Sequence, residues 1–247
     1  MKRIIKLNNK SLLIECNIEE YSETILNRID MFDEDNTYKY YIVINEDKTI
    51  YNLDEEIVIN GRLVHTDLYQ LINNIISNLI NDDNNLYIHS SVITSDNNTI
   101  IILGDFNAGK TTVALEAVKH GYKIVSADQS WLRFDDTLKL YKGSTYLVYD
   151  DKKEMIDKIN EEISIDKIYF LSSIYNGELK LFNNDNKLRL IKQMCKYTSW
   201  SILNSLMTDD IELNLNRITI NNFIKKIDIP SYSISGSTCD IIKKMEE

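Results

Sequence analysis

The chain has 247 residues, 43% of them hydrophobic, which is enough to bury a core as one large domain or two modest ones. A formal net charge of −10 argues against a nucleic-acid partner, because affinity for a phosphate backbone comes mainly from Lys and Arg. No run approaches the roughly 20 apolar residues of a membrane span, and residues 1–9 are too polar for a signal peptide, so we expect a cytoplasmic protein without a membrane partner. Three widely separated cysteines, Cys16, Cys195 and Cys239, suggest neither a zinc site nor a disulfide framework.

The N-terminal third of the chain is predicted to be a small, β-rich α+β region. Runs of β-forming residues at 39–44 and 57–60 predict a small sheet. An amphipathic helix is predicted over residues 66–79, with Thr66 as its candidate N-cap. Its apolar positions follow the i, i+3, i+4, i+7 spacing and are Leu68, Leu71, Ile72, Ile75, Ile76 and Leu79. We therefore assign residues 1–85 to an N-terminal extension and residues 86–247 to a second domain.

The second domain begins with a predicted β-hairpin and a helix. Residues 86–94 and 99–103 are rich in β-formers and are separated by a polar turn. Residues 111–120 have helical composition and end at Gly121, a residue type typical of the position after a helix. Residues 122–126 then predict another strand. The order is therefore strand, loop, helix, strand.

Further along, the chain alternates between predicted strands and helices. A second hairpin is predicted from residues 131–134 and 138–141, and a further strand from residues 167–172. Trp131 and Phe134 alternate along this hairpin, which is more typical of core packing than of a binding surface. The remaining predicted elements are helices over 188–200 and 218–227 and a short strand over 232–234.

The loop between the predicted strand and helix carries a phosphate-binding pattern. Residues 104–111 (GDFNAGKT) match GxxxxGK[ST] in the strand–loop–helix context that this motif requires. Gly104 and Gly109 allow the backbone to curve so that its N–H groups point at phosphate oxygens, and the helix N-terminus adds partial positive charge. The alternative is a turn that needs glycine for its geometry alone.

The motif assigns a role to each polar residue of the loop. Lys110 is expected to reach the β and γ phosphates, the Thr111 hydroxyl to coordinate Mg²⁺, and Thr112 to add a hydrogen bond. The sequence thus predicts a nucleoside triphosphate with Mg²⁺ as the ligand. The predicted nucleotide-binding residues are Gly104, Asp105, Phe106, Asn107, Ala108, Gly109, Lys110, Thr111 and Thr112.

An acidic residue follows the next predicted strand. Asp128 comes eighteen residues after Lys110, at the end of an apolar run, and is the candidate acidic metal ligand together with Thr111. Most P-loop ATPases and GTPases place this acidic strand much further along the chain. The short spacing therefore points to a particular subset of P-loop proteins.

Residues 86–132 resemble the catalytic domain of HPr kinase/phosphorylase and of its smaller relatives found beside peptide-modification genes. In that family a strand that begins with a histidine precedes the loop by about fifteen residues, the loop opens with Gly-Asp, the helix ends at a glycine, and the next strand ends in two aspartates. This sequence has His89, Gly104 followed by Asp105, Gly121 and Asp128 at the matching positions. The N-terminal residues do not resemble the regulatory domain of the full-length enzyme, so the resemblance is to the short relatives.

The resemblance implies an α/β fold with an HPr-kinase-like P-loop core, a mixed sheet flanked by helices. It further implies ATP and Mg²⁺ as cofactors and a catalytic set of Lys110, Asp128 and His89. One departure affects that set, because Ala127 stands where the family has its first aspartate, the proton acceptor. Asp128 then serves as both metal ligand and acceptor, or His89 assists, or catalysis is lost. The family's later basic motif has only Arg189 and Arg217 as candidates here.

Three functions fit these features. The first is an ATP-dependent kinase that transfers γ-phosphate to a Ser or Thr hydroxyl of a small protein or peptide, such as a ribosomally made precursor peptide. The second is a kinase of the same fold that phosphorylates a small molecule. The third is a catalytically impaired nucleotide-binding sensor or scaffold. Family members are often oligomeric, so a homo-oligomer is one expected assembly.

Overall fold

The computed structural model describes residues 1–105, 107–150, 152–174, 177–183 and 210–247. Within this range the chain is a mixed α/β protein with several sheets and few helices. It divides into two compact units, Met1–Ile80 and Asn81–Glu247. The predicted helix over 188–200, Phe106 and Arg189 lie outside the described residues, as does the side chain of Arg217.

The first unit contains a five-stranded sheet in the order β1-β2-β3-β4-β5 and two helices. Its β1 and β2 form a hairpin that turns at Asn8, whose φ of 58° is tolerated by asparagine. The strands are β1 (Lys2–Leu7), β2 (Lys10–Cys16), β3 (Tyr40–Ile44), β4 (Lys48–Asn52) and β5 (Glu56–Asn60), and the helices are α1 (Glu19–Arg28) and α2 (His65–Ile80).

The predicted strands and helix of this unit are present, with one correction. The helix α2 begins at His65, so Thr66 lies inside its first turn and is not the N-cap that the sequence predicted. Its predicted apolar stripe is buried at every position, including Leu68, Ile72 and Ile76. Burial of this stripe, rather than a side-chain cap, therefore dominates the stability of the helix.

Among its described residues, the second unit has two larger sheets and three helices. The four-stranded sheet has the order β14-β11-β10-β6, the six-stranded sheet has the order β16-β17-β15-β8-β7-β9, and β12 and β13 form a separate hairpin. The strands are β6 (Asn85–His89), β7 (Ser91–Thr94), β8 (Thr99–Gly104), β9 (Lys123–Ser126), β10 (Gln129–Phe134), β11 (Leu138–Gly143), β12 (Tyr146–Tyr149), β13 (Lys152–Met155), β14 (Ile163–Ser164), β15 (Lys167–Ile174), β16 (Lys180–Asn183) and β17 (Ser231–Gly236), and the helices are α3 (Lys110–Lys119), α4 (Asp210–Lys226) and α5 (Thr238–Glu246).

The six-stranded sheet is buried on both faces, and β8 illustrates why. Ile101 and Leu103 belong to a core shared with the four-stranded sheet and α4. Ile100 and Ile102 point to the opposite face, where they pack with residues of α3 and α5. Successive side chains of a strand alternate between faces, so a run of four apolar residues supplies both cores. This central strand leads directly into the predicted phosphate loop.

The run of residues 86–94, predicted as one strand, is divided at Ser90. The part before it, β6, pairs with β10 in the four-stranded sheet, whereas β7 pairs with β8 and β9 in the six-stranded sheet. The two predicted hairpins are present as β7–β8 and β10–β11. Trp131 is buried and donates its indole N–H to Asn85 Oδ1 at 2.9 Å, which confirms its packing role.

Candidate functional site

The loop between β8 and α3 has the backbone conformation that its glycine and asparagine residues permit. Gly109 precedes α3 with a φ of 91°, and Asn107 has a φ of 61°. The Ala108 N–H donates to the Asp105 carbonyl at 3.0 Å, which tightens the turn. A Cβ on Gly109 would lie 2.2 Å from Ile174 Cδ1, the end of a side chain that can move aside, so glycine is required there chiefly for its positive φ.

Gly104 ends β8 where that strand approaches its parallel neighbour. β8 pairs with β15, and Gly104 is opposite Leu171. A Cβ added to Gly104 would lie 2.9 Å from the Leu171 carbonyl oxygen and 3.0 Å from Ala108 Cβ. The first glycine of the pattern therefore allows the loop to fold back close to the sheet.

Lys110 is the first residue of α3, and its side chain is buried. It is only 6% exposed, and its Nζ donates to the carbonyl oxygens of Gly104 at 3.0 Å and Asp105 at 3.1 Å. Burial lowers the pKa of Lys110 from 10.5 to about 8, and the negative charges of Asp128 and Asp105 partly oppose this shift. The ammonium group is therefore held inside the loop, within electrostatic reach of Asp128.

Asp128 contacts His89 across the ends of two strands. His89 Nδ1 lies 2.8 Å from the Asp128 carbonyl oxygen and 3.3 Å from Asp128 Oδ1. A carbonyl oxygen can only accept, so Nδ1 is the donor, and in the neutral imidazole the lone pair is then on Nε2. His89 is thus oriented by Asp128 through Nδ1, and its Nε2 is buried.

The backbone of Asp128 is held from both sides. On one side, the Ser90 N–H donates to the Asp128 carbonyl at 3.1 Å. On the other, Ser144 connects the flanking residues, because its carbonyl accepts from the Ala127 N–H at 2.9 Å and its N–H donates to the Gln129 carbonyl at 2.8 Å. These bonds fix the position of the carboxylate relative to the sheets.

A chain of buried hydroxyl groups lies around Asp128. Ser90 Oγ donates to Ser130 Oγ at 2.7 Å, Ser126 Oγ contacts Ser130 Oγ at 2.8 Å, and Ser126 Oγ also donates to the Gln129 carbonyl at 2.7 Å. Ser91 Oγ donates to the Ala127 carbonyl at 2.9 Å. Satisfied buried networks of this kind rigidify the backbone that carries them.

Ala127, at the position of the family's first aspartate, is only 3% exposed. Its N–H donates to the Ser144 carbonyl, and its own carbonyl accepts from Ser91. A carboxylate at this position would therefore be buried beside a backbone whose polar groups are already paired. Asp128 is accordingly the acidic residue at the end of β9 that can face a ligand.

The sequence did not single out the residues that hold Asp128 from the side of β11. A Cβ on Gly143 would lie 2.2 Å from the Val125 carbonyl oxygen and 2.7 Å from Ser126 Cβ, so the end of β11 packs directly against β9. The scarcity of glycine, seven in the whole chain, was the available signal for such a close approach. Ser144 and its neighbour Thr145 had no sequence signal.

The remaining predicted site residues lie on the first turn of α3 and in the loop. Thr111 is half-buried and Thr112 is exposed, as are Asp105 and Asn107. No cluster of three or more His, Cys, Asp or Glu ligands occurs among the residues that the structure describes. One hydroxyl and one carboxylate still fit Mg²⁺, which commonly takes one or two carboxylates together with phosphate oxygens and water. Thr111 and Asp128 are the residues that would hold it.

Comparisons with known proteins find similarity among solved structures. No protein-family model matches the chain, and no curated protein matches it. The solved structure of the HPr(Ser) kinase/phosphatase from Coxiella burnetii is similar, with 15% sequence identity and a TM-score of 0.36, over 65% of this chain and 88% of that one. Across the described residues, no helix is both long and apolar enough to cross a membrane.

Proposed function

We propose that this chain is an ATP-dependent phosphotransferase that passes γ-phosphate to a hydroxyl group, with a Ser or Thr of a small protein or peptide as the acceptor. The observation that carries the proposal is the position of Lys110. Its buried ammonium group lies inside a glycine-flanked loop at the start of a helix and within electrostatic reach of Asp128, which in turn contacts His89. These are the charges that phosphoryl transfer requires at one place.

The residues have distinct roles in this proposal. The loop N–H groups and Lys110 bind the phosphates, and Thr111 and Asp128 would hold Mg²⁺, which would supply charge neutralisation there. During transfer the acceptor oxygen forms a bond to phosphorus, the bond from the γ-phosphorus to the bridging oxygen breaks, and the hydroxyl proton must leave. His89 Nε2 is our candidate acceptor for that proton, since Ala127 supplies no carboxylate.

The test is calorimetric titration of Mg–ATP into the wild type and Lys110→Ala. We expect binding to weaken by at least about 100-fold, because the variant loses a charge-assisted contact to the phosphates. Lys119→Ala is the matched control, since Lys119 is an exposed lysine at the other end of the same helix. Unchanged affinity in a folded Lys110→Ala variant would exclude the phosphate site.

A nucleotide-binding sensor or scaffold is the second candidate, and the buried Ala127 favours it. If the family's proton acceptor is absent and His89 does not replace it, the chain binds ATP without transferring phosphate. Single-turnover transfer from labelled ATP to a Ser-containing peptide separates the two, with His89→Ala as the diagnostic variant. Transfer by the wild type that is lost in His89→Ala supports the kinase, whereas tight binding without transfer to any peptide or metabolite supports the sensor.

A further inference from the structure

Two buried hydroxyl groups beside Asp128 have no hydrogen-bond partner within the described residues. These are Ser144 Oγ and Thr145 Oγ1, in residues that are only 1% and 2% exposed. A buried hydroxyl without a partner loses its bonds to water and gains nothing in exchange, so folded proteins rarely keep one. Two consecutive residues of this kind indicate that a ligand supplies the missing partners.

The position of these residues indicates which ligand. Ser144 brackets Asp128 through its backbone bonds to Ala127 and Gln129. Thr145 leads directly into β12, which contacts α3, the helix that begins with Lys110. The segment 144–145 therefore connects the carboxylate at the end of β9 with the helix that follows the phosphate loop.

The other buried serines nearby do not share this property. Ser90, Ser91, Ser126 and Ser130 all have hydrogen-bond partners within the protein. Among the described residues of the second unit, the buried hydroxyls without partners are thus those of Ser144 and Thr145, in the segment between Asp128 and α3. A structural network would be expected to include them, and the serine network around Asp128 does not.

We propose that the hydroxyl groups of Ser144 and Thr145 donate hydrogen bonds to the terminal phosphate of the bound nucleoside triphosphate. The inference rests on the proposed function and adds two specificity-determining residues to it. Asp128, as the proposed metal ligand, marks the end of the site where the terminal phosphate lies. Neutral donors suit this place because Lys110 already supplies buried positive charge, and a hydroxyl costs far less to bury than a second cation. The pair would distinguish a triphosphate from a diphosphate.

The test uses Thr145→Val, which replaces the hydroxyl by a methyl group at nearly constant volume, and Ser144→Ala. Thr49→Val is the matched control, because Thr49 is 0% exposed, also has an unpartnered Oγ1 within the described residues, and belongs to the first unit. Removing an unpartnered buried hydroxyl should leave unchanged or raise the melting temperature of the nucleotide-free protein in all three variants. Thr145→Ser keeps the hydroxyl and should keep the affinity.

The measured quantities are the affinities for Mg–ADP and for a non-hydrolysable Mg–ATP analogue. We expect Thr145→Val to lower the affinity for the ATP analogue about 10-fold and that for ADP less than about twofold, while Thr49→Val changes neither. Unchanged binding of the analogue in both Thr145→Val and Ser144→Ala, or an equal loss for the two nucleotides, would overturn the inference and leave the proposed function intact. A wild type that binds neither nucleotide would overturn both.

Discussion

Lys110 is a charged side chain that is buried in the protein interior, and this burial lowers its pKa. The ammonium group is held by two carbonyl oxygens and by the field of nearby carboxylates. Neither interaction compensates fully for lost hydration, so the pKa falls to about 8. In the proposed function, the phosphates of the bound nucleotide would supply the missing stabilisation.

This pKa predicts how nucleotide binding depends on pH. Below pH 8 the lysine is protonated before binding, so the affinity for Mg–ATP should be constant. Above pH 8 the nucleotide-free protein loses the proton, which binding must restore, so the affinity should fall by up to about tenfold per pH unit. Calorimetry between pH 7.5 and 9.5 measures this slope. Lys110→Arg, if it binds, should show no slope because its charge persists, and a flat wild-type profile would contradict the prediction.

If Asp128 holds Mg²⁺, replacing its carboxylate should reduce metal-dependent turnover without reducing the binding of metal-free ATP. In Asp128→Asn the amide keeps the size of the side chain but cannot offset the charge of Mg²⁺. We expect phosphate transfer to fall at least about 100-fold, while the affinity for metal-free ATP is kept or slightly increased because a negative charge has been removed. The measurement is a Mg²⁺ titration of both turnover and binding.

Asp136→Asn is the control for this variant, because Asp136 is exposed in the turn between β10 and β11. Its Mg²⁺ dependence should equal that of the wild type. If Asp128→Asn also retained normal turnover and normal Mg²⁺ dependence, Asp128 would have no role in metal binding.

At the scale of elements, the end of β11 determines where Asp128 lies. Gly143 packs so closely on β9 that no side chain fits between them. Any added atom must push apart the two strands whose ends hold the Ala127–Gln129 backbone. The position of the carboxylate therefore depends on a residue that is remote from it in sequence.

We expect Gly143→Ala to lower the free energy of unfolding by more than about 2 kcal/mol, because overpacking forces strands apart. Gly121→Ala is the comparison, since its φ of 89° makes alanine unfavourable by about 1–2 kcal/mol although no atom lies within 4 Å of its Cβ position. Chemical denaturation of both variants measures the difference. A smaller loss in Gly143→Ala than in Gly121→Ala would show that β11 can move away from β9 at little cost.

The elements that local patterns specify were predicted well. The β10–β11 hairpin and α3 follow from alternating apolar residues and from a glycine at each end of the helix. The helix α5 was missed, although Ser237 caps it by accepting from the Asp240 N–H and the S-x-x-D spacing was present in the sequence.

Other features have no local signature. The division of one apolar run at Ser90 depends on which sheet each half joins, and this is decided by β10 on one side and β8 on the other. In the same way, the loop pattern predicted Lys110, whereas the contact of His89 with Asp128 arises from the pairing of strands 39 residues apart. Sequence alone could suggest these residues only through the family resemblance, and Ser144 and Thr145 not at all.

At the scale of the whole molecule, the proposed site belongs to one unit. The described residues proposed to bind nucleotide, metal or acceptor lie between His89 and Thr145, within the unit Asn81–Glu247. Both apolar cores around the six-stranded sheet are also formed by residues of this unit. The first unit, Met1–Ile80, has its own sheet and buried side chains such as Ile14 and Ile42. Each unit thus has the core that an independently folding domain needs.

This organisation predicts that a fragment comprising residues 81–247 folds and binds Mg–ATP with an affinity within about threefold of the full chain. The reason is that the described residues of its two cores and of its phosphate loop all belong to the second unit. Circular dichroism and a cooperative melting transition establish folding, and calorimetry compares the affinities. The fragment carrying Lys110→Ala is the control for specific binding. A folded fragment that binds Mg–ATP more than about tenfold weaker would instead assign part of the nucleotide site to residues 1–80.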